Sequence, residues 1–287
     1  MDTTYPCRVI RRITSNHPAG FLVYSIMTVL PLPISCYIRT KNEADRIRET
    51  IRAALQVCQE VVVVDSGSTD DTVTIAENEG ARVVEQLWLG NGRQKRVGED
   101  ACTNHWLLDI DADEIVTKAL AEEIRELFQQ GEPELSAYQF RIVTEPPLGK
   151  TWTNCCIARR IKLYDRRRHR IPDHMAWDQF QLDRSERAGR LQGALLHYSF
   201  RHIGDMMQKM NRVSSVRASE KKLKSGPVLA LRVFCFLPVY FFRNYIKRAL
   251  WRRGVYGFAS AMVLAIGRWL TDVKMFEIRS GLKADDK

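Results

Sequence analysis

The chain has 287 residues, enough to bury a sizeable core as one large or two unequal domains. Its 45% hydrophobic and 27% charged content is that of a globular protein, and seven cysteines, an odd number with no C-x-x-C pair, argue against a disulfide scaffold or zinc site and for a reducing cytoplasm. Of the net charge of +10, residues 220–287 carry a local +9, from fourteen Lys/Arg against five Asp/Glu, and a basic, aromatic-rich tail of this kind suits an anionic surface, either nucleic acid or a membrane leaflet.

Residues 1–33 read as an N-terminal extension. The uncharged run 20–30 follows Arg8, Arg11 and Arg12 as in a signal peptide, but Pro31 and Pro33 interrupt it and 34–38 reads as a first core strand, so translation is expected to begin at Met27. Helical spacing of Ile47, Ile51, Ala54 and Leu55 follows. A strand over 60–65 contains four consecutive valines, which fit burial on both faces of a parallel sheet. It ends in Asp65, and Ser66, Gly67 and Ser68 make a turn after which Thr69 or Asp70 can cap a helix near 70–79, stopped at Gly80 and followed by a short strand over 82–85. This β-α-β-α-β order argues for an α/β fold with a mostly parallel sheet covered by helices.

The glycine-rich stretch 88–98 carries Arg93, Lys95 and Arg96, which either meet phosphates or form a solvated basic turn, and a helix over 93–102 leads on to 105–114. Here an apolar strand ends in carboxylates at alternate positions, and extended geometry would put Asp109, Asp111 and Asp113 on one side. Clustered acids repel unless a cation sits among them, and oxygen ligands suit Mg²⁺ or Mn²⁺, which also bind phosphates. Two buried strands therefore end in aspartates. In open α/β sheets ligands bind beyond the carboxyl ends of the strands, which places Asp65, Asp111 and Asp113 around one pocket.

Downstream, 118–130 reads as a charged surface helix with Leu120, Ile124, Leu127 and Phe128 inward, and 137–143 and 160–164 as strands flanking a loop with Pro146, Pro147 and Gly149. The run 166–170 is either an exposed hairpin turn or a dock for a phosphorylated acceptor; Asp173, His174, Trp177 and Asp178 then set acids beside an aromatic, a mixture suited to a general base near a sugar. Residues 197–225 read as helical. The apolar runs 228–242 and 255–266, broken by Arg232, Pro238 and Gly257, are each too short and interrupted to span a bilayer. With Arg243, Lys247, Arg248, Trp251, Arg252 and Arg253 between them, they read as interfacial amphipathic helices on anionic lipid, or as helices packed on the catalytic domain behind a basic solvated face.

Four motifs in order, Thr40-Lys-Asn-Glu43, Val64-Asp-Ser-Gly-Ser-Thr-Asp-Asp-Thr72, Gly90-Asn-Gly-Arg-Gln-Lys95 and Leu108-Asp-Ile-Asp-Ala-Asp-Glu114, resemble the family 2 glycosyltransferases over residues 34–270, particularly the lipopolysaccharide core β-1,4-glucosyltransferase branch. The resemblance implies a GT-A (Rossmann-like) catalytic domain over 34–215, a helical, basic, membrane-associating tail over 216–287, a UDP-sugar donor and inversion at the anomeric carbon. By position, Asp65 would hydrogen-bond the uracil ring, Thr40 and Glu43 would line the nucleotide pocket, Arg93 and Lys95 would meet the phosphates, and Asp111 would sit at the ribose and sugar. Asp113 would hold the Mg²⁺ or Mn²⁺ that neutralises charge on the leaving diphosphate. The branch carries its base as a Glu after a His; the matching stretch here reads Ala176-Trp177-Asp178, so Asp178 takes the role with Asp173 in reserve, and Arg96 stands where the branch has Asn. The implied activity is metal-dependent transfer of a hexose, glucose in the first instance, to a lipopolysaccharide inner-core or other lipid-linked acceptor. Its implied setting is cytoplasmic and peripheral, at the anionic inner-membrane face, with no nucleic acid partner. The rival readings are transfer to a polyprenyl phosphate, a basic nucleic-acid-binding protein, and a non-catalytic partner subunit.

Overall fold

The computed structural model describes residues 8–10, 26–28, 31–149, 151 and 157–282. Strands β1 (Arg8–Ile10) and β2 (Ile26–Thr28) form a short antiparallel ladder. The signal-like run, apart from its β2 residues, lies outside the described residues, and this ladder does not test a start at Met27. The chain divides into two compact units, residues 1–141 with 159–195 and residues 142–158 with 196–287.

The first unit is organised by four parallel strands, β3 (Leu32–Thr40), β4 (Cys58–Asp65), β5 (Arg82–Glu85) and β6 (Trp106–Asp111). Val62, Val63 and Val64 are fully buried and Val61 nearly so, as are Ile34, Cys36 and Ile38 on the neighbouring strand. Apolar side chains on both faces require helices on both sides of a sheet, which parallel crossover connections supply. With β7 (Glu114–Val116), β8 (Ala137–Thr144), β9 (Ile157–Asp165) and β10 (Gly189–His197), the order is β5-β4-β3-β6-β9-β8-β10-β7, antiparallel where β6 meets β9. The expected α/β class and GT-A sheet are therefore present, in a mixed sheet whose first half is parallel.

The helices here are α1 (Ile47–Ala54), α2 (Thr72–Asn78), α3 (Asn91–Ala101) and α4 (Lys118–Leu127). Thr117 caps α4 by accepting from the Leu120 amide, and the helix buries Leu120, Ala121 and Ile124. Strand β10 has no counterpart in the sequence reading. Its two glycines weaken the strand pattern, yet one of them is a packing requirement: a Cβ on Gly193 would lie 2.4 Å from the Leu120 Cα.

The second unit holds α5 (Ile203–Glu220), α6 (Gly226–Lys247), a 3-10 turn (Leu250–Arg253) and α7 (Gly254–Arg279). Its internal tie is Asp272, fully buried on α7, which accepts from Lys224 Nζ at 2.8 Å, Arg232 Nε at 3.1 Å and the Tyr240 hydroxyl at 2.5 Å. The expectation that Arg232 and Pro238 break the apolar run is corrected by this arrangement. Arg232 folds inward to Asp272, α6 runs unbroken for 22 residues, and by length and composition alone it is long enough to cross a membrane. Its outward face, Val228, Leu231, Phe234, Val239, Phe242 and Ile246, is exposed, with Phe234 at 85% exposure.

Removing the Asp272 carboxylate leaves two cations and a phenol without their shared partner. Asp272→Ala should lower unfolding stability by about 2–3 kcal/mol in a urea titration, with the loss falling on the helical unit.

Candidate active site

The parallel registers pair Thr40 with Asp65 on one side of β3 and Arg39 with Asp111 on the other. The strand ends thus bring Asp65, Thr40, Arg39 and Asp111 to one edge of the sheet. Arg39, unremarked in the sequence reading, is the hub of this edge. Its Nε donates to Asp111 Oδ1 at 2.7 Å and its Nη2 to Asp111 Oδ2 at 3.4 Å; Nη2 also reaches Asp178 Oδ2 at 3.1 Å, and Nη1 reaches Asn91 Oδ1 at 3.1 Å. The signal available in the sequence was a cation closing an otherwise apolar strand.

Below it lies Lys95, only 2% exposed, with Nζ 2.8 Å from Asp109 Oδ2 and 3.3 Å from Asp178 Oδ2. A second buried lysine, Lys162, meets Glu114 Oε2 at 2.7 Å, and that same oxygen accepts the Asp111 amide at 2.9 Å. Arg39, Lys95 and Lys162 therefore face four carboxylates, Asp109, Asp111, Asp178 and Glu114. Burial alone would raise the Asp111 and Asp178 pKa values, but the charges of Arg39 and Lys95 outweigh it and hold both below the ordinary carboxylate value of 3.8. Because the folded values are depressed, this contribution to stability is complete above the unfolded pKa and is lost as pH falls through the folded one.

The segment carrying Asp178 is pinned to the first turn of α3. Asn91 N donates to Met175 O at 2.6 Å, Gly92 N to His174 O at 3.0 Å, and Asn91 Nδ2 to Ala176 O at 3.3 Å. Gly90 has φ 105°, and a Cβ on Gly92 would lie 2.3 Å from Trp177 O and 2.5 Å from Pro172 O. The glycines of the 88–98 stretch thus serve close backbone approach to this segment. Glu99 holds its start: fully buried, it accepts from Arg170 Nε at 2.6 Å, the Tyr164 hydroxyl at 2.9 Å and Ile171 N at 3.2 Å. Nothing in the sequence set Glu99 apart from other helix acids.

The remaining expected residues fall as follows. Asp65 closes its own turn, accepting from Gly67 N at 2.9 Å, Ser68 N at 2.8 Å and Ser68 Oγ at 2.5 Å. Thr40 is 5% exposed and its hydroxyl has no hydrogen-bond partner. Glu43 lies 3.8 Å from Arg46, both largely covered, and Arg93 pairs with Asp173 at 2.8 Å, a pair about half exposed or more. Asp109 and Asp111 share one side of β6 as expected, meeting Lys95 and Arg39, which converge on Asp178; the expectation is corrected for Asp113, because extended geometry stops at Asp111 and Asp113 sits in the turn before β7, 4.0 Å from Arg46. Arg166, Arg167, Arg168 and Arg170 are each bonded to protein carboxylates or carbonyls, which favours the turn reading of that cluster over an anion dock.

Among the described residues no group of three or more His, Cys, Asp or Glu gathers as a cage for a metal ion. Asp113 nonetheless fits Mg²⁺ or Mn²⁺, since such ions are commonly held by one or two carboxylates with substrate phosphates completing the shell. Its side chain is 18% exposed at the same edge, where acids outnumber the cations set among them.

The family model of glycosyl transferase family 2 matches residues 35–185, more than half of the chain. The chain belongs to the family 2 glycosyltransferases. An uncharacterized glycosyltransferase of Rickettsia bellii (strain RML369-C) is 32% identical over 265 residues, 87% of this chain and 88% of the relative. The lipopolysaccharide core biosynthesis glycosyltransferase LpsC of Rhizobium meliloti (strain 1021) is 30% identical over 262 residues, 88% of this chain and 95% of that one. Among solved structures, glucosyl-3-phosphoglycerate synthase from Mycobacterium tuberculosis in complex with Mn²⁺, UDP and glucosyl-3-phosphoglycerate is 26% identical at a TM-score of 0.31, over 39% of this chain and 44% of that one. This chain spans less than half of that structure, a likeness too slight to carry an argument. The first two relatives run nearly end to end with this glycosyltransferase, through both units.

The Gly92 contact is directly testable. Gly92→Ala must push the carbonyls of Pro172, His174 and Trp177 off α3, so the Asn91 and Gly92 amides should exchange with deuterium about tenfold faster or more, while amides of β3 and β4 keep their protection.

Proposed function

We propose that this glycosyltransferase moves a hexose, glucose in the first instance, from a UDP-sugar to the inner core of lipopolysaccharide or another lipid-linked saccharide. The observation that carries the reading is the network joining Asp111, Arg39, Asp178 and Lys95 at the strand ends, which sets an ionised carboxylate beside the edge where the donor motifs meet. The end-to-end similarity to LpsC supports the acceptor class.

In this reading Asp65 faces the uracil, Thr40 and Glu43 line the nucleotide pocket, Arg93 meets the phosphates from the rim, and Asp111 orients the ribose and sugar. Lys95 acts from beneath, its charge felt by the diphosphate while its ammonium stays on Asp109 and Asp178. Asp113 would hold Mg²⁺ or Mn²⁺, which supplies Lewis-acid assistance to departure of the diphosphate. The acceptor hydroxyl attacks the anomeric carbon from the face opposite the nucleotide; its oxygen bonds to that carbon, the bond to the diphosphate oxygen breaks with its electron pair, and configuration inverts. Asp178 takes the hydroxyl proton. Its low pKa keeps it ionised at neutral pH, and it becomes an effective acceptor as the attacking oxygen acquires positive charge.

A lipid-linked acceptor requires work at a membrane, and the outward face of α6 supports a peripheral seat at the cytoplasmic leaflet. Its apolar side chains lead into Arg243, Lys247, Arg248, Arg252 and Arg253 around Trp251, a stretch with no acid. The opposite face of α6 packs Tyr240, Phe241 and Asn244 inside its unit, which favours a helix lying in the interface over one crossing the bilayer.

The test is a transfer assay with UDP-hexoses and inner-core lipopolysaccharide acceptors. Asp178→Asn should lower the rate by about 10²–10⁴-fold with UDP binding intact; full activity in that variant would overturn the assignment of the base.

A further inference from the structure

Among the described residues two exposed apolar surfaces stand out, and their surroundings differ. The face of α6 leads into a stretch, 243–253, that carries five cations and no acid. The other, in the first unit, is built from Trp88 at 54% exposure, Met175 at 65% and Trp177 at 67%, on two loops that press together where Gly90 meets Met175. Tryptophan is seldom left so open, and apolar patches bounded by polar groups mark binding surfaces. The boundary here is of mixed charge: Asp173 paired with Arg93, the His174 ring 6.4 Å from that of Trp177, and Asp178 next in the chain. Lipid headgroups of one sign do not call for such a border. A pyranose does, because it offers a C–H face to an indole and hydroxyls at its edge to carboxylate and guanidinium groups.

We propose that Trp177 and Trp88 form the platform on which a saccharide ring of the acceptor stacks; the inference rests on the transferase reading above. The backbone bearing Trp177 is held by hydrogen bonds. Its amide and that of Ala176 both donate to His174 Nδ1 at 3.0 Å, while the carbonyls of His174 and Met175 are taken by Gly92 and Asn91. Little conformational freedom is left to lose on binding, so stacking translates into affinity. Trp177 directly precedes Asp178 in the chain, so in this proposal the platform helps determine which hydroxyl is presented for attack.

The experiment uses the full chain with UDP and Mn²⁺ present, titrated calorimetrically with the inner-core oligosaccharide released from deep-rough lipopolysaccharide by deacylation. Trp177→Ala should weaken oligosaccharide binding about tenfold and Trp177→Phe should recover most of it, with UDP affinity within about twofold of wild type in both. Unchanged oligosaccharide affinity in Trp177→Ala and Trp88→Ala would overturn the inference. So would a wild type that binds UDP but no oligosaccharide, a result that leaves the donor reading standing. If the alanine variants lose binding to phosphatidylglycerol vesicles and not to the oligosaccharide, the patch is a lipid contact and the inference fails. A wild type that does not bind UDP removes the transferase reading and this inference with it.

Discussion

A lysine that is almost wholly buried must have carboxylates against it, and the site is arranged around satisfying that requirement. Lys95 enters from α3, Asp109 from β6 and Asp178 from the segment after β9, so one ammonium ties together three separate elements of the chain. Leaving any of these charges unpaired in the interior costs several kcal/mol, which is why the three elements hold their positions together. Arg39 repeats the arrangement nearer the surface, its planar fork spanning Asp111 and Asp178 as a point charge could not. The consequence for chemistry is that the Asp178 carboxylate is oriented and ionised before any substrate arrives.

The parallel sheet is what makes this convergence possible. Strands that run the same way end at the same edge, so acids placed at the ends of β4 and β6 become neighbours of whatever closes β3 between them. Glycine at 90 and 92 then lets the backbone of 172–178 lie against the start of α3, and Glu99 anchors the approach to it. The helical unit is held by a different device of the same kind, Asp272 gathering Lys224, Arg232 and Tyr240, and by turning its one mid-helix arginine inward it leaves α6 an apolar outer face. Charges that would otherwise compete for solvent are used inside each unit to shape what the surface presents.

Much of the sheet was legible in the sequence because its signals are local. The valines of β4, the turn residues after Asp65 and the alternating acids of β6 each announce an element and its end. What was not legible depended on partners distant in the chain. Lys95 reads as a phosphate-seeking side chain until Asp109 and Asp178 are brought beside it. Asp113 reads as a third strand position until the chain is seen to turn after Asp111. Arg232 and Pro238 read as breaks in an apolar run, yet the proline stands on the exposed face and the arginine has an acid on α7 to reach. Strand β10, glycine-bearing and poor in β-branched residues, is defined by what it packs against.

The central claim is that the strand-end carboxylates form the site for a metal-bridged nucleotide diphosphate. Its most direct test is calorimetric titration of UDP into the purified protein, once with Mn²⁺ and once with EDTA, in wild type and in Asp113→Ala. The account predicts binding that depends on Mn²⁺ and is lost in the variant while the variant keeps its folded circular dichroism. Binding that is indifferent to metal and to Asp113, or no UDP binding by the wild type under either condition, would contradict it.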